Sequence, residues 1–217
     1  MKTSLICLAN SYKEGGRCVA GIKCHQGEVL WNENNKPFWV RPVSRMTPHG
    51  EIDSLETYKF KLLDIVGFDF VEPMPQGHQV ENLVYMPASF KITGTFEISG
   101  LDELCDQQQP FLFGSKSKAV TEVEASVLME SLTLIQVSEF QVYEKKYQEV
   151  REKPAVRLQF TFNQCIYDLP ITDPVFLQEY RFDKNFLKDK KLLYLCLSLG
   201  VMYEGLHYKL VAGILPG

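Results

Sequence analysis

Alternation of apolar and polar positions dominates the chain and is clearest toward its C-terminal end. In SLTLIQVSEFQVYEKK (131 to 146), Leu132 and Leu134 alternate, and Val137, Phe140 and Val142 follow after a break, as in a long, bent strand. AVRLQFTFNQCIYDLP (155 to 170) alternates Val156, Leu158, Phe160 and Phe162, turns at Asn163-Gln164, and returns through Cys165, Ile166, Tyr167 and Leu169. That pattern predicts a hairpin. In TDPVFLQEYRF, Thr172 or Asp173 can cap a helix whose first position is Pro174, where a missing N–H does no harm, and Phe176, Leu177 and Tyr180 make its apolar side. KLLYLCLSLG (191 to 200) and LHYKLVAGIL (206 to 215) add two strands. Three strands, a helix and two strands are the order of a five-stranded OB barrel with the helix plugging one end; the competing reading makes these strands one half of a larger open β domain.

The N-terminal half is rougher. SLICLA (4 to 9), CVAGIKC (18 to 24), FWVRPV (38 to 43), YKFKLLDIVGFDFV (58 to 71), VENLVYM (80 to 86) and FKITGTFEI (90 to 98) have strand composition, punctuated by prolines at 37, 42, 48, 73, 75 and 87. GLDELCDQQQ reads as a short helix, and TEVEASVLMES offers Thr121 and Glu124 as a capping box for a helix joining the halves. The expected architecture is mainly β: two small OB-like β-barrel units with a few short helices, an N-terminal unit over 1–125 and a C-terminal one over 126–217.

SLICLANSYKEGGRCVAGI, FWVRPVS, the segment from KLLDIV to GHQVEN, VRLQFTFNQCIYDLPITDPVF and the closing HYKLVAG together resemble the bacterial dual OB-containing domain family over nearly the whole chain. That resemblance implies two OB-like units and a nucleic-acid or nucleotide-related role, some members being encoded near genome-defence or nucleic-acid-processing genes. It supplies no catalytic residues.

Charge sharpens where a ligand would go. The chain carries a formal net charge of −4, which argues against indiscriminate binding of nucleic acid. Residues 1 to 50, however, hold seven basic side chains against three acids, so the positive charge is concentrated there. In NSYKEGGRC, Lys13 and Arg17 flank Gly15-Gly16, whose backbone N–H groups could form an anion-binding concavity, or whose flexibility could simply serve a tight turn. In FWVRPVSR, Trp39 and Arg41 stand two apart on one strand face, with Ser44 and Arg45 beyond. A ring to stack on a base and a guanidinium to hold a phosphate are what single-strand recognition uses, although Trp39 could equally pack under a neighbour. His78, with Gln79, Glu81 and Asn82 after a proline-glycine bend, adds a polar cluster. Phe160 or Phe162 could serve as a stacking platform if the second barrel binds nucleic acid.

Chemistry is harder to find. The six cysteines (7, 18, 24, 105, 165 and 196) are scattered without a CxxC pair, and the four histidines have no ligand-like spacing, so neither a disulfide framework, nor a metal site, nor a cofactor is expected. Cys18 beside Arg17 and the His78–Glu81 segment are the weak candidates for reactivity; no catalytic residue is assigned. No apolar run reaches eighteen residues, and the opening MKTSLICLANSYKEGG is too short in apolar residues for a secretory signal. The expectation is a cytoplasmic, non-enzymatic binder of single-stranded nucleic acid or a nucleotide, with no membrane partner. The alternatives are a scaffold docking to a protein effector such as a helicase or nuclease, and a pocket for a nucleotide-like small molecule.

Overall fold

A computed structural model describes residues 1–146 and 154–217, and the chain divides into two compact units, Met1–Leu104 and Cys105–Gly217. The first contains β1 (Lys2–Lys13), β2 (Gly16–His25), β3 (Glu28–Val29), β4 (Trp39–Val43), the short helix α1 (Ser54–Thr57), β5 (Asp64–Pro73), β6 (Asn82–Tyr85) and β7 (Lys91–Thr95). Its strands close a ring in the order β1-β2-β4-β6-β5 and back to β1, and only the β4–β6 neighbours run parallel. β3 and β7 hang on the edges of β2 and β5. The ring has five strands with the helix between the third and fourth, so this unit too is an OB barrel.

Leu5, Cys7, Val19, Val40, Val66 and Phe68 fill the interior, and Tyr85 stacks on Phe90 with ring centroids 4.9 Å apart. β1 runs four residues past the stretch expected from composition. A bulge between Cys7 and Ala9 shifts its register on β2, and the polar tail continues as the arm of a hairpin. Asn10 on that tail donates to the carbonyls of Thr57 and Phe60, tying β1 to the segment at α1.

The second unit contains β8 (Ala119–Thr121), α2 (Glu122–Ser126), β9 (Leu132–Val137), β10 (Phe140–Lys145), β11 (Ala155–Phe162), β12 (Cys165–Pro170), α3 (Pro174–Phe182), β13 (Leu193–Tyr203) and β14 (Leu206–Pro216). β9 and β10 are the bent first strand, interrupted at Ser138-Glu139: one half pairs with β13, the other with β11. β11 pairs with β12 across the Asn163-Gln164 turn, both of whose residues have positive φ, and β13 pairs with β14. A parallel bridge between Ile171 and Val211 brings the end of β12 beside β14. The order and the single parallel neighbour repeat those of the first barrel.

Asp173 caps α3 and Pro174 occupies its first turn; the Asp173 carboxylate accepts from the N–H of Val175, Phe176 and, across the unit, Ile214. Burial lifts the pKa of Asp173, while those N–H donors pull it down. Thr121 and Glu124 form the capping box of α2.

The division falls well before the expected boundary at 125. Leu112, Phe113, Val120 and Ala125 enter the core of the second unit, and β8 pairs with β14, so residues 105–125 belong to that unit. Three residues paired at a sheet edge give too short an alternation to read from sequence. Phe160 and Phe162 also point into this core, which removes them as stacking platforms.

Candidate nucleic-acid interface

The stretch from Asn10 to Cys18 is a two-stranded ribbon rather than a free loop. Glu14 (φ 43°) and Gly15 (φ 86°) form a two-residue turn with positive φ at both positions, the geometry that matches the twist of a hairpin. The register that follows pairs Lys13 with Gly16, Tyr12 with Arg17 and Ser11 with Cys18. Arg17 exchanges two backbone hydrogen bonds with Ile52, at 2.8 and 2.9 Å. A Cβ at Gly16 would lie 2.6 Å from the Ile52 carbonyl oxygen, so glycine is needed there for close approach of the chain. Both glycines thus have conformational or packing roles, and the chain between Lys13 and Arg17 is a hairpin tip rather than an open loop.

Alternation splits the cations of this hairpin between its faces. Arg17 shares a face with Tyr12, and its guanidinium lies 4.5 Å from the centroid of that ring, which is itself 56% exposed. Nε and Nη1 of Arg17 are shielded from solvent and have no hydrogen-bond partner among the described residues. Lys13 lies on the other face, near Cys18 and Arg41; burial lowers its pKa, and the charge of Arg41 lowers it further.

The expected pairing of Trp39 with Arg41 as an open binding surface does not form. β4 is an inner strand with neighbours on both sides, and both of its faces are buried. Trp39 ends a row that runs across three strands, Ile6 to Ile22 to Trp39, opposite in face to the interior row of Cys7, Gly21 and Val40; it is 8% exposed. Arg41 is 1% exposed, and a charge so enclosed needs internal partners. The segment between β5 and β6 provides them: Glu81 Oε1 stands 2.8 Å from Arg41 Nη1, Asn82 Oδ1 accepts at 3.3 Å, and the Arg41 N–H donates to the Glu81 carbonyl. His78 and Gln79 of the same segment are buried rather than presented outward. Ser44 is buried as well, its Oγ accepting from the N–H of Met46, and Arg45 pairs at the surface with Glu72.

Of the sequence-derived residues, Lys13, Gly15, Gly16 and Arg17 therefore meet at the hairpin tip, with Arg41 buried behind Lys13. Ser44 reaches the same neighbourhood through the backbone, since its N–H donates to Gly50 in the segment that leads to Ile52. Trp39, Arg41 and His78 are structural groups, and Arg45 is committed to an acid. Tyr12 lies outside the residues expected from the sequence, although a two-residue turn at Glu14-Gly15 fixes it opposite Arg17; the ring-and-guanidinium pair expected along β4 arises instead across the hairpin.

Among the described residues no group of three or more His, Cys, Asp or Glu side chains is placed to hold a metal ion, and no helix is long and apolar enough to cross a membrane. Cys7, Cys24 and Cys196 are buried thiols, and Cys18, Cys105 and Cys165 are partly exposed.

The sequence model of the dual OB-containing domain matches residues 3–214. No curated protein matches the sequence significantly. Among solved structures, a replication protein A heterotrimer bound to single-stranded DNA aligns with a TM-score of 0.37 and 6% identity; the alignment covers all of this chain and 48% of that one, so the chain spans about half its length.

Proposed function

The chain belongs to the dual OB-containing domain family, and from that premise we propose that it is a non-enzymatic protein that binds single-stranded nucleic acid at the β1–β2 hairpin of its first unit. The observation that carries this reading is the guanidinium of Arg17 lying on the exposed ring of Tyr12, a cation beside a flat surface at the hairpin tip. A base stacks on such a ring, and a guanidinium beside it attracts the neighbouring phosphate. The location supports it, because the connection between the first two strands is one of the loops by which OB folds take up oligonucleotides. Lys13 adds a cation on the opposite face of the same ribbon.

Fluorescence polarisation with labelled single-stranded DNA, single-stranded RNA and duplex, at two salt concentrations, tests it. Arg17→Ala and Tyr12→Ala should each weaken single-strand binding about tenfold, near 1.4 kcal/mol. Arg17→Ala should also flatten the salt dependence by about 0.7 in log K against log salt, the share of one phosphate. Binding unchanged by both substitutions overturns the reading. A mononucleotide that stabilises the protein as strongly as an oligonucleotide would reassign the hairpin to a small-molecule site.

A further inference from the structure

The connection between α3 and β13 is the most basic stretch of the second unit. RFDKNFLKDKK (181 to 191) holds five basic residues against two acids in a chain whose net charge is −4. It does not continue the helix. Asp183 ends α3, its carboxylate accepts from the N–H of Asn185, and successive turns close from Phe186 to Asp183, Lys188 to Asn185 and Lys190 to Leu187. These turns wall a groove of about 370 Å³ whose other side is β10. That volume lies at the small end of the range for ligand sites.

The lining is unusual for so acidic a protein. Lys184, Lys188 and Lys190 face the groove, together with Phe140, Tyr180 and Phe186, and no carboxylate is among its described lining residues. Lys184 is spoken for: it pairs with Glu144 and lies 4.1 Å from the Tyr180 ring centroid. Lys188 and Lys190 form no ion pair among the described residues. The floor is firm, since Phe140 and Phe186 pack on the core of the unit and Phe186 meets Phe176 edge-on at 5.1 Å. Tyr180 lines the groove although it is more than nine-tenths buried, and its hydroxyl makes no hydrogen bond among the described residues. Phe182, at the end of α3, is 94% exposed. Unpaired ammonium groups, aromatic surface and an unused hydroxyl in one recess suit a ligand with a flat apolar part and a phosphate.

We propose that this groove is a second site for single-stranded nucleic acid, in which a nucleotide rests on Phe140 and Phe186 beside the Tyr180 hydroxyl and the flanking phosphates meet Lys188 and Lys190. Its described lining comes from the first strand and from the helix with its connection to the fourth strand, and includes no residue of the second or third strand, whose face OB folds ordinarily use. It stands independently of the hairpin reading.

Labelled oligo(dT) is titrated into the whole protein carrying Lys188→Ala with Lys190→Ala, in the wild-type and in the Arg17→Ala chain. The lysine pair should weaken binding roughly 10- to 30-fold near 0.1 M salt and lower the salt slope by about 1.4, the share of two single-strand phosphates. Lys59→Ala with Lys61→Ala removes the same charge from the first unit and should change affinity by no more than about twofold. Tyr180→Phe, which leaves the packing intact, should weaken binding severalfold at unchanged Tm. If the two sites are separate, the losses from Arg17→Ala and from the lysine pair add in log K. Should the hairpin reading fail, Arg17→Ala is silent while the lysine pair still costs affinity. Binding indifferent to the lysine pair, or lowered equally by the control pair, overturns the groove. Polyglutamate competing as well as oligo(dT) at equal charge would make it a site for acidic peptide instead, and thymidine monophosphate binding as tightly as the oligomer would exclude a strand.

Discussion

The two units share one strand order and one parallel neighbour, yet they handle enclosed positive charge in different ways. In the first, Arg41 is buried with a carboxylate, Glu81, brought to it by the segment between β5 and β6. In the second, Lys209 on β14 is fully buried with no carboxylate bonded to it among the described residues: its Nζ donates to the Ser115 carbonyl at 2.6 Å and lies 5.2 Å from the Tyr167 ring centroid. The Tyr167 hydroxyl donates to the same carbonyl and accepts from the Leu112 N–H, so the lysine closes a small neutral network that fastens residues 112–115 to the barrel. A charge held by a carboxylate is costly to leave alone, whereas a charge held by dipoles can shed its proton. The first arrangement fixes the end of the segment that enters β6; the second fixes a strap on the core.

The sharpest way to break this contrast is to remove Glu81. Glu81→Ala would leave the Arg41 guanidinium enclosed without its carboxylate and should destabilise the first unit by about 3–5 kcal/mol. Replacing both partners, Arg41→Met with Glu81→Leu, should recover most of that loss. Urea denaturation, followed by a probe in each unit because two units need not unfold together, gives the measurement. A loss below about 1 kcal/mol would mean that water reaches Arg41 in solution, and would return it to the set of residues available to a ligand.

The matching test on Lys209 has the opposite sign. Burial lowers its pKa from 10.5 to about 8. Between those values the unfolded chain binds a proton that the folded chain has released, so this lysine makes stability rise from pH 8 toward 10.5, and its full penalty is present below pH 8. Lys209→Met should therefore stabilise the second unit at pH 7, by about 1–3 kcal/mol, and the gain should vanish by pH 10.5. Tyr167 beside it, whose pKa burial raises, works the other way at the top of this range, so the informative quantity is the difference between variant and wild type at each pH. A variant less stable than wild type at pH 7 would show that the bonds to Ser115 outweigh the desolvation.

The second unit was the more legible from sequence for a reason visible in its residues. Val156, Leu158, Phe160 and Phe162 alternate over an uninterrupted strand, Asn163-Gln164 marks the turn, and Asp173-Pro174 marks the helix start; each signal is local. In the first unit, β1 and β4 bury both faces, so Leu5 to Ala9 and Trp39 to Val43 carry no alternation to read. The site suffered from the same cause. Arg41 looked available because Glu81 lies forty residues away, and only the parallel pairing of β4 with β6 brings them together. Long-range register, rather than composition, decided which cations are free.

The smallest expected effect bears on the hairpin tip, where the Arg17 guanidinium lies on the Tyr12 ring. Glu14 adopts φ 43° in the hairpin turn, a conformation that asparagine tolerates better, and it is the acid nearest in sequence to Lys13 and Arg17. Glu14→Asn should stabilise the unit by about 0.5 kcal/mol, read as a small rise in Tm, because the turn is relieved of strain. It should also tighten single-strand binding about two- to threefold at low salt, with the gain shrinking as salt rises, because a like-signed neighbour of the phosphate has gone. The two readouts separate the turn from the interface: a raised Tm with unaltered affinity would leave the hairpin as a well-made corner and place the ligand elsewhere, whereas tighter binding alone would assign the tip to the ligand while the turn geometry costs nothing.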